Sequence, residues 1–279
     1  MYNPKIRTFL VLGLTLAWVG VATSYYILQT KRKTCPLNAT KAEIALGAAA
    51  KAASLEEAMT LLKNREDKKA AAIFEQVLKG QPDNIEALWG KAEVLRRSYD
   101  YKDAEKLLDE ILKKDPKHLA SINSLAYIRY RDDKLDESLK LVNQVLKCCP
   151  DKENEALSYI MLGTINSKRS SKGGFFSKIK YGTQIKGYFL KARDLDPGMP
   201  EVHLALGTFY LKAPSIVGGD LDKAIQELEI AEKLAPNFAT VNARLAQAYK
   251  KKGNMEKYKF YLEKTKKLDP DNEALKEVK

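Results

Sequence analysis

The sequence predicts an all-α array of helical hairpins, preceded by a segment long enough to cross a membrane. Three observations carry that expectation. Six prolines, Pro82, Pro116, Pro150, Pro197, Pro236 and Pro270, recur at an interval of about 34 residues that lengthens twice, before Pro197 and before Pro236, and a period of this size marks stacked repeats. Small and apolar residues hold fixed offsets from these prolines. An uncharged, mainly apolar run covers Phe9 to Leu28.

The apolar run comes first in the chain. About 20 residues at 1.5 Å rise span a hydrocarbon core of about 30 Å. Lys5 and Arg7 stand before it, Tyr25 and Tyr26 lie near its end, and Lys31, Arg32 and Lys33 close it. Residues 1–33 therefore read as an uncleaved membrane anchor; a signal peptide cleaved near Ala22-Thr23-Ser24 is the competing reading. The basic cluster after the run exceeds the basic residues before it by one, so the positive-inside rule places the repeats in the cytoplasm, with a periplasmic or other extracytoplasmic side as the alternative. Residues 34–50 form a linker or capping helix, to which the alanines near Ala48 to Ala53 add a cap.

The repeats fill residues 51–272. Each proline ends one amphipathic helix and precedes the next, in GQPDN, KDPKH, CCPDK, LDPGM, LAPNF and LDPDN. Proline cannot continue a helix, and the Asp or Asn beside it can cap the following one. Twelve, eight and five residues before Pro82 stand Ala70, Phe74 and Val77; before Pro116 stand Ala104, Leu108 and Ile111; before Pro236 stand Ala224, Leu228 and Ala231. These offsets share one helix face. The first helix of each unit shows a small residue in register, at Ala58, Ala92, Ala126, Gly163, Gly207 and Ala246, where two helices can approach closely.

On these residues the chain resembles the tetratricopeptide repeat family. Six units are counted, at about 51–84, 85–118, 119–152, 156–199, 200–238 and 239–272, roughly four fifths of the chain. Ser138 and Tyr258 stand where the family has a small helix-B residue, and Glu57 replaces an apolar one in the first unit. The resemblance implies a right-handed α-solenoid, because a hairpin that cannot bury its own apolar face buries it against its neighbours. It also implies a concave groove lined by the first helix of each unit, where peptides or partner helices dock.

The family's inward positions carry Trp89, Arg96, Asn123, Tyr127 and Tyr130, then Gln247 and Lys250, with Arg97, Arg131 and Arg244 beside them. Trp, Tyr and Arg are the residues that most often anchor interfaces. The expected partner-binding set is thus Trp89, Arg96, Asn123, Tyr127, Tyr130, Arg131, Arg244 and Gln247; the alternative is that Trp89 and Tyr127 fill the core between units. The carboxylate clamp of chaperone-binding members has no counterpart, because its places hold Leu55, Met59, Gly90, Ala120 and Ser124.

Two insertions interrupt the period. Residues 167–182 read SKRSSKGGFFSKIKYG, with Gly173-Gly174 breaking any helix. Lys168, Arg169, Lys172, Lys178 and Lys180 surround Phe175 and Phe176, a candidate contact for anionic lipid. The reading preferred over lipid contact is a flexible loop with both phenylalanines tucked onto the scaffold. Residues 213–220 lengthen the fifth unit and end in Asp220, a good N-cap. The inserted GGD turn is similar to one in some bacterial tetratricopeptide proteins associated with substrate transporters, which makes a transporter-associated accessory protein that captures a small ligand the alternative function. Residues 273–279 are expected to be a C-terminal tail.

Net charge is +12. Residues 1–33 hold five basic side chains and no acid, which leaves +7 for the rest, a surplus spread over many helices. With no recognised nucleic-acid module, a solvated Lys-rich surface and a protein or peptide partner are expected rather than nucleic acid. Cys35, Cys148 and Cys149 form no metal-binding spacing. His118 and His203 are the only histidines, and no catalytic, metal or cofactor motif appears. A membrane-tethered interaction scaffold, not an enzyme, is the expectation.

Overall fold

The computed structural model describes residues 54–148 and 150–278; the expected anchor over 9–28, the linker over 34–50, and Cys35 and Cys149 lie outside them. Among the described residues there are twelve α-helices and no strand. They are α1 (residues 54–63), α2 (Asp67–Gly80), α3 (Ile85–Arg97), α4 (Tyr101–Lys114), α5 (Leu119–Arg131), α6 (Leu135–Lys147), α7 (Lys152–Lys172), α8 (Phe175–Leu195), α9 (Pro200–Lys212), α10 (Leu221–Leu234), α11 (Ala239–Lys252) and α12 (Met255–Leu268). Short 3-10 helices cover Ser215–Val217 and Glu273–Glu277. None of the described helices is long and apolar enough to cross a membrane.

Five of the starts carry a side-chain cap from Asn or Asp. The side chains of Asn84, Asp100, Asp151, Asp220 and Asn254 accept hydrogen bonds from backbone N–H groups of the turn that follows, satisfying donors that a helix start leaves without intrahelical partners. Consecutive helices then pair as hairpins, and odd-numbered helices also pack on the next odd-numbered one, α3 on α5, α5 on α7, α7 on α9 and α9 on α11. The odd-numbered helices therefore form the inner side of the curve.

The residues in register explain how closely the hairpins close. Ala58, Ala92, Ala126 and Ala246 are fully buried. At Gly163 even a methyl would not fit: a Cβ there would sit 2.3 Å from Phe189 Cε1. Ser138, the departure in the third unit, is buried and donates to the Ala126 carbonyl at 2.7 Å, so its hydroxyl is satisfied.

The insertion at 167–182 is not a loop. It lengthens α7 and α8 to 21 residues each, against 13 or 14 in α2 to α6. Gly173 and Gly174 turn the chain between them. The phenylalanines are not tucked away: Phe175 and Phe176 are 71% and 84% exposed. The tip is helical because Ser167 to Lys172 and Phe175 to Gly182 carry helix-compatible residues on both sides of one break, and stacked α7 and α8 support each other across it.

Three turns between paired helices hold a non-glycine residue in the left-handed region: Arg65 (φ 62), Tyr99 (φ 67) and Asp133 (φ 66). They recur at the interval that separates Pro82, Pro116 and Pro150, and the corresponding turn after α11 uses Gly253 (φ 80). Glycine takes this conformation without the steric cost that a Cβ brings, of order 1 kcal/mol or more.

A basic and aromatic inner face

The inner face is built from the last turns of the odd-numbered helices and the turns after them. On α3, Glu93 is buried and accepts hydrogen bonds from Arg96 Nε at 2.9 Å and Nη2 at 2.6 Å. Burial alone would raise the Glu93 pKa, but the Arg96 charge and its hydrogen bonds, with Arg97 and the Ser124 hydroxyl, hold it well below the ordinary carboxylate range. The Ser124 hydroxyl donates to Glu93 at 2.6 Å and accepts from Trp89 Nε1 at 3.2 Å. Trp89 thus links α3 to α5 and packs with both the first and second hydrophobic clusters of the array.

With its guanidinium fixed by Glu93, Arg96 lies over the Tyr127 ring, 4.5 Å from the centroid. Tyr127 stands between Tyr101 and Tyr130, at centroid distances of 6.5 and 6.3 Å. Arg131 lies over Tyr101 at 5.8 Å, and Lys168 Nζ over Tyr130 at 4.6 Å. The result is a ladder of partly buried rings, each faced by a cation, at distances where cation–π attraction operates.

The expected residues separate into groups. Arg96, Tyr127, Tyr130 and Arg131 come together on α3 and α5. Asn123 is buried, donates to the Asn154 backbone and side chain at 3.2 and 3.1 Å, and accepts from Ser158 at 3.0 Å, so its amide braces α5 to α7. Arg244 and Gln247 lie on α11, where Arg244 donates to Gln247 Oε1 at 2.8 Å. In the insertion, Lys168 and Lys172 pair with Asp133, and Arg169 with Asp136. Lys178 and Lys180 are exposed beside Phe175 and Phe176 at the tip. Both histidines serve the scaffold: His118 Nδ1 accepts from the Ser121 amide, and buried His203 bonds Glu227 at 2.6 Å and the Pro197 carbonyl at 2.9 Å.

Sequence reasoning singled out Arg131 but missed the other residues that cross the groove. Arg65 pairs with Glu201 on α9 and lies over the Phe238 ring, and Asn237 donates to the Asn64 carbonyl at 3.4 Å. Tyr99 donates to Asp269 at 2.7 Å, and Arg131 pairs with Glu273. The first two left-handed residues therefore reach across the array to partners 136 and 170 positions away, while Asp133 anchors the insertion. The even spacing of Arg65, Tyr99 and Asp133, at turns where glycine would be comfortable, was the signal in the sequence.

No curated protein sequence matches the chain. Human IFIT1, solved as a dimer with m7Gppp-AAAA, superposes with a TM-score of 0.56 at 21% identity, over 76% of this chain and 49% of that one. The APC/C hetero-tetramer Cut9-Hcn1 gives 0.56 at 14% identity, over 79% and 41%. PilF of Pseudomonas aeruginosa gives 0.46 at 17% identity, over 82% and 96%. At such identities the likeness to IFIT1 and to Cut9-Hcn1 is one of fold alone. Residues 61–126 match the family model of the tetratricopeptide repeat, so over that stretch the period marked out by the prolines is similar to a tetratricopeptide repeat.

Proposed function

We propose that this protein is an interaction scaffold that takes a peptide or partner segment along its inner face, and that the apolar run 9–28 tethers it to a membrane. The observation that supports the reading is the ring ladder. Tyr101, Tyr127 and Tyr130 are held in place by Arg96, Arg131 and Lys168 yet remain partly exposed. Rigid aromatic and Arg side chains on a pre-formed surface lose little entropy on binding, which suits them as anchors.

The test is site-specific photo-crosslinking in cells from position 127, on the inner face, and from position 109, on the outer side of α4. A discrete partner is expected at 127 and not at 109, and Tyr127→Ala should weaken binding of the purified partner by about tenfold or more. Identical adducts from both positions would sink the assignment.

A second reading concerns the tip of the insertion. Phe175, Phe176 and Ile179 are exposed beside Lys178 and Lys180, an arrangement that suits an anionic lipid surface. Vesicles with and without phosphatidylserine separate the outcomes in a flotation assay. Equal recovery of wild type and a Phe175→Ser/Phe176→Ser variant would remove this reading.

A further inference from the structure

The segment Asp269–Val278 follows α12 and carries Asp269, Asp271, Glu273 and Glu277 against one base, Lys276. Its only regular structure is the five-residue 3-10 helix Glu273–Glu277, too short to persist by itself. It is ordered by what it touches. Asn272 caps it and donates to Thr240 Oγ1 at 3.1 Å. Ala274 and Val278 are buried, Gln247 donates to the Ala274 carbonyl at 3.1 Å, and Lys250 donates to the Val278 carbonyl at 3.1 Å. Glu277 pairs with Arg244 at 2.8 Å and with Lys212 at 2.6 Å, and Glu273 pairs with Arg131.

A cap on the last hairpin would need contacts with α11 alone. This segment also reaches Lys212 of α9, Arg131 of α5 and Tyr99 after α3. Among the described residues, the acids within ion-pair distance of Arg131, Lys212 and Arg244 all belong to it. The fit is also imperfect: Glu273 engages Arg131 through Nη2 and leaves the buried Nε without a partner, whereas a well-placed carboxylate takes both nitrogens.

We propose that Asp269–Val278 is a resident competitor for the groove, and that the groove's partner is an acidic peptide that displaces it. The recognition elements would be two carboxylates about one helical turn apart, the spacing of Glu273 and Glu277, received by Arg131 and by Arg244 with Lys212. The proposal rests on the reading of the inner face as a binding groove and adds the partner's chemistry and its control.

The probe is a fluorescein-labelled peptide with the sequence of residues 268–278, titrated into the full chain in mild detergent. Glu273→Gln/Glu277→Gln vacates the basic groups without removing any backbone, and its melting curve checks its fold. That variant should bind the peptide at least tenfold more tightly than wild type, and adding Arg131→Ala/Arg244→Ala should abolish the gain. A peptide with both glutamates replaced by glutamine should not bind. Equal affinity of wild type and the double variant, or no binding by either, overturns the proposal. A measurement without variants accompanies it: amide hydrogen exchange of Leu275 and Val278 in wild type should speed up when the peptide is present at saturation, and unchanged exchange counts against displacement. If the crosslinked partner at position 127 is real while the peptide fails here, the groove stands and the competitor does not.

Discussion

The Arg65 guanidinium lies over the ring of Phe238, its Cζ 3.8 Å from the ring centroid, although most of the repeat array separates the two along the chain. Burial, and then the neighbouring Arg97 charge, lower the Arg65 pKa, against the pull of Glu201 and Asp67. Arg65 also holds a left-handed backbone. A residue that accepts both costs has its return in the contacts across the array, and those contacts are measurable.

Replacing Arg65 by glycine relieves the backbone and removes the ion pair and the ring contact together. The relief is of order 1 kcal/mol, while a partly buried charged hydrogen bond and a cation–π contact contribute about 2–4 kcal/mol together. Arg65→Gly should therefore lower stability by about 1–3 kcal/mol in urea titration. Tyr99→Gly, which gives up one exposed hydrogen bond for the same relief, should stay within about 0.5 kcal/mol of wild type.

Two glycines should respond to alanine with opposite signs. At Gly163 the new methyl meets the Phe189 ring, and Gly163→Ala should destabilise by about 1–3 kcal/mol. Gly187, inside α8, has nothing within 4 Å of a built Cβ. Gly187→Ala should stabilise by about 0.5–1 kcal/mol through the entropy of the unfolded chain. Chemical denaturation of both variants checks the pair.

The pH dependence has two signs in two windows. Burial raises the Glu277 pKa, but hydrogen bonds from Arg244 and Lys212 outweigh it and hold the carboxyl down at about 2. A depressed folded pKa means that its contribution is present above the ordinary value of 4.5 and is lost as pH falls from there towards 2. The segment 269–278 should therefore loosen in acid, visible as faster exchange after correction for intrinsic rates. For His203, burial lowers the pKa but the Glu227 hydrogen bond and the Pro197 carbonyl raise it further. Its contribution is full below 6.5 and fades as pH rises through the elevated folded value. Wild type should lose stability across that upper window, and His203→Gln should flatten the curve.

Salt separates the inner face from the core. The pairs that hold 269–278 are partly exposed, so screening weakens them. Raising salt from about 0.05 to 0.5 M should speed amide exchange in residues 272–278 and leave α9 and α10 unchanged; parallel loss in both would mean that the segment is part of the core.

Much of this architecture is legible from local pattern. The prolines, the small residues from Ala58 to Ala246 and the capping Asp220 each act within one hairpin or between two neighbours, and the structure places them as a local reading expects. The Tyr127 and Tyr130 positions follow from the same register. Less legible is anything whose partner lies several hairpins away. Whether Arg131 meets Glu273 depends on how curvature accumulates over the intervening hairpins, which no window of sequence reports. Asn123 illustrates a subtler gap: its position on the inner helix is as the register implies, but its amide is occupied by Asn154 and Ser158, and hydrogen-bond occupancy is invisible until neighbours are placed. The insertion resists a local reading for another reason: Gly173-Gly174 signals a break, and not the length of helix on either side of it.

The contacts that join Asn64 to Asn237, Tyr99 to Asp269 and Arg131 to Glu273 change the mechanics of the array. A stack bonded only to its neighbours behaves as a spring, extends under small load and melts inwards from either end. Ties between early and late turns make it a closed ring, in which the first and last hairpins must let go together. Pulled from its two ends, such a molecule should resist as one unit and then yield in a single step, and cutting all of the ties should return the gradual extension of a spring.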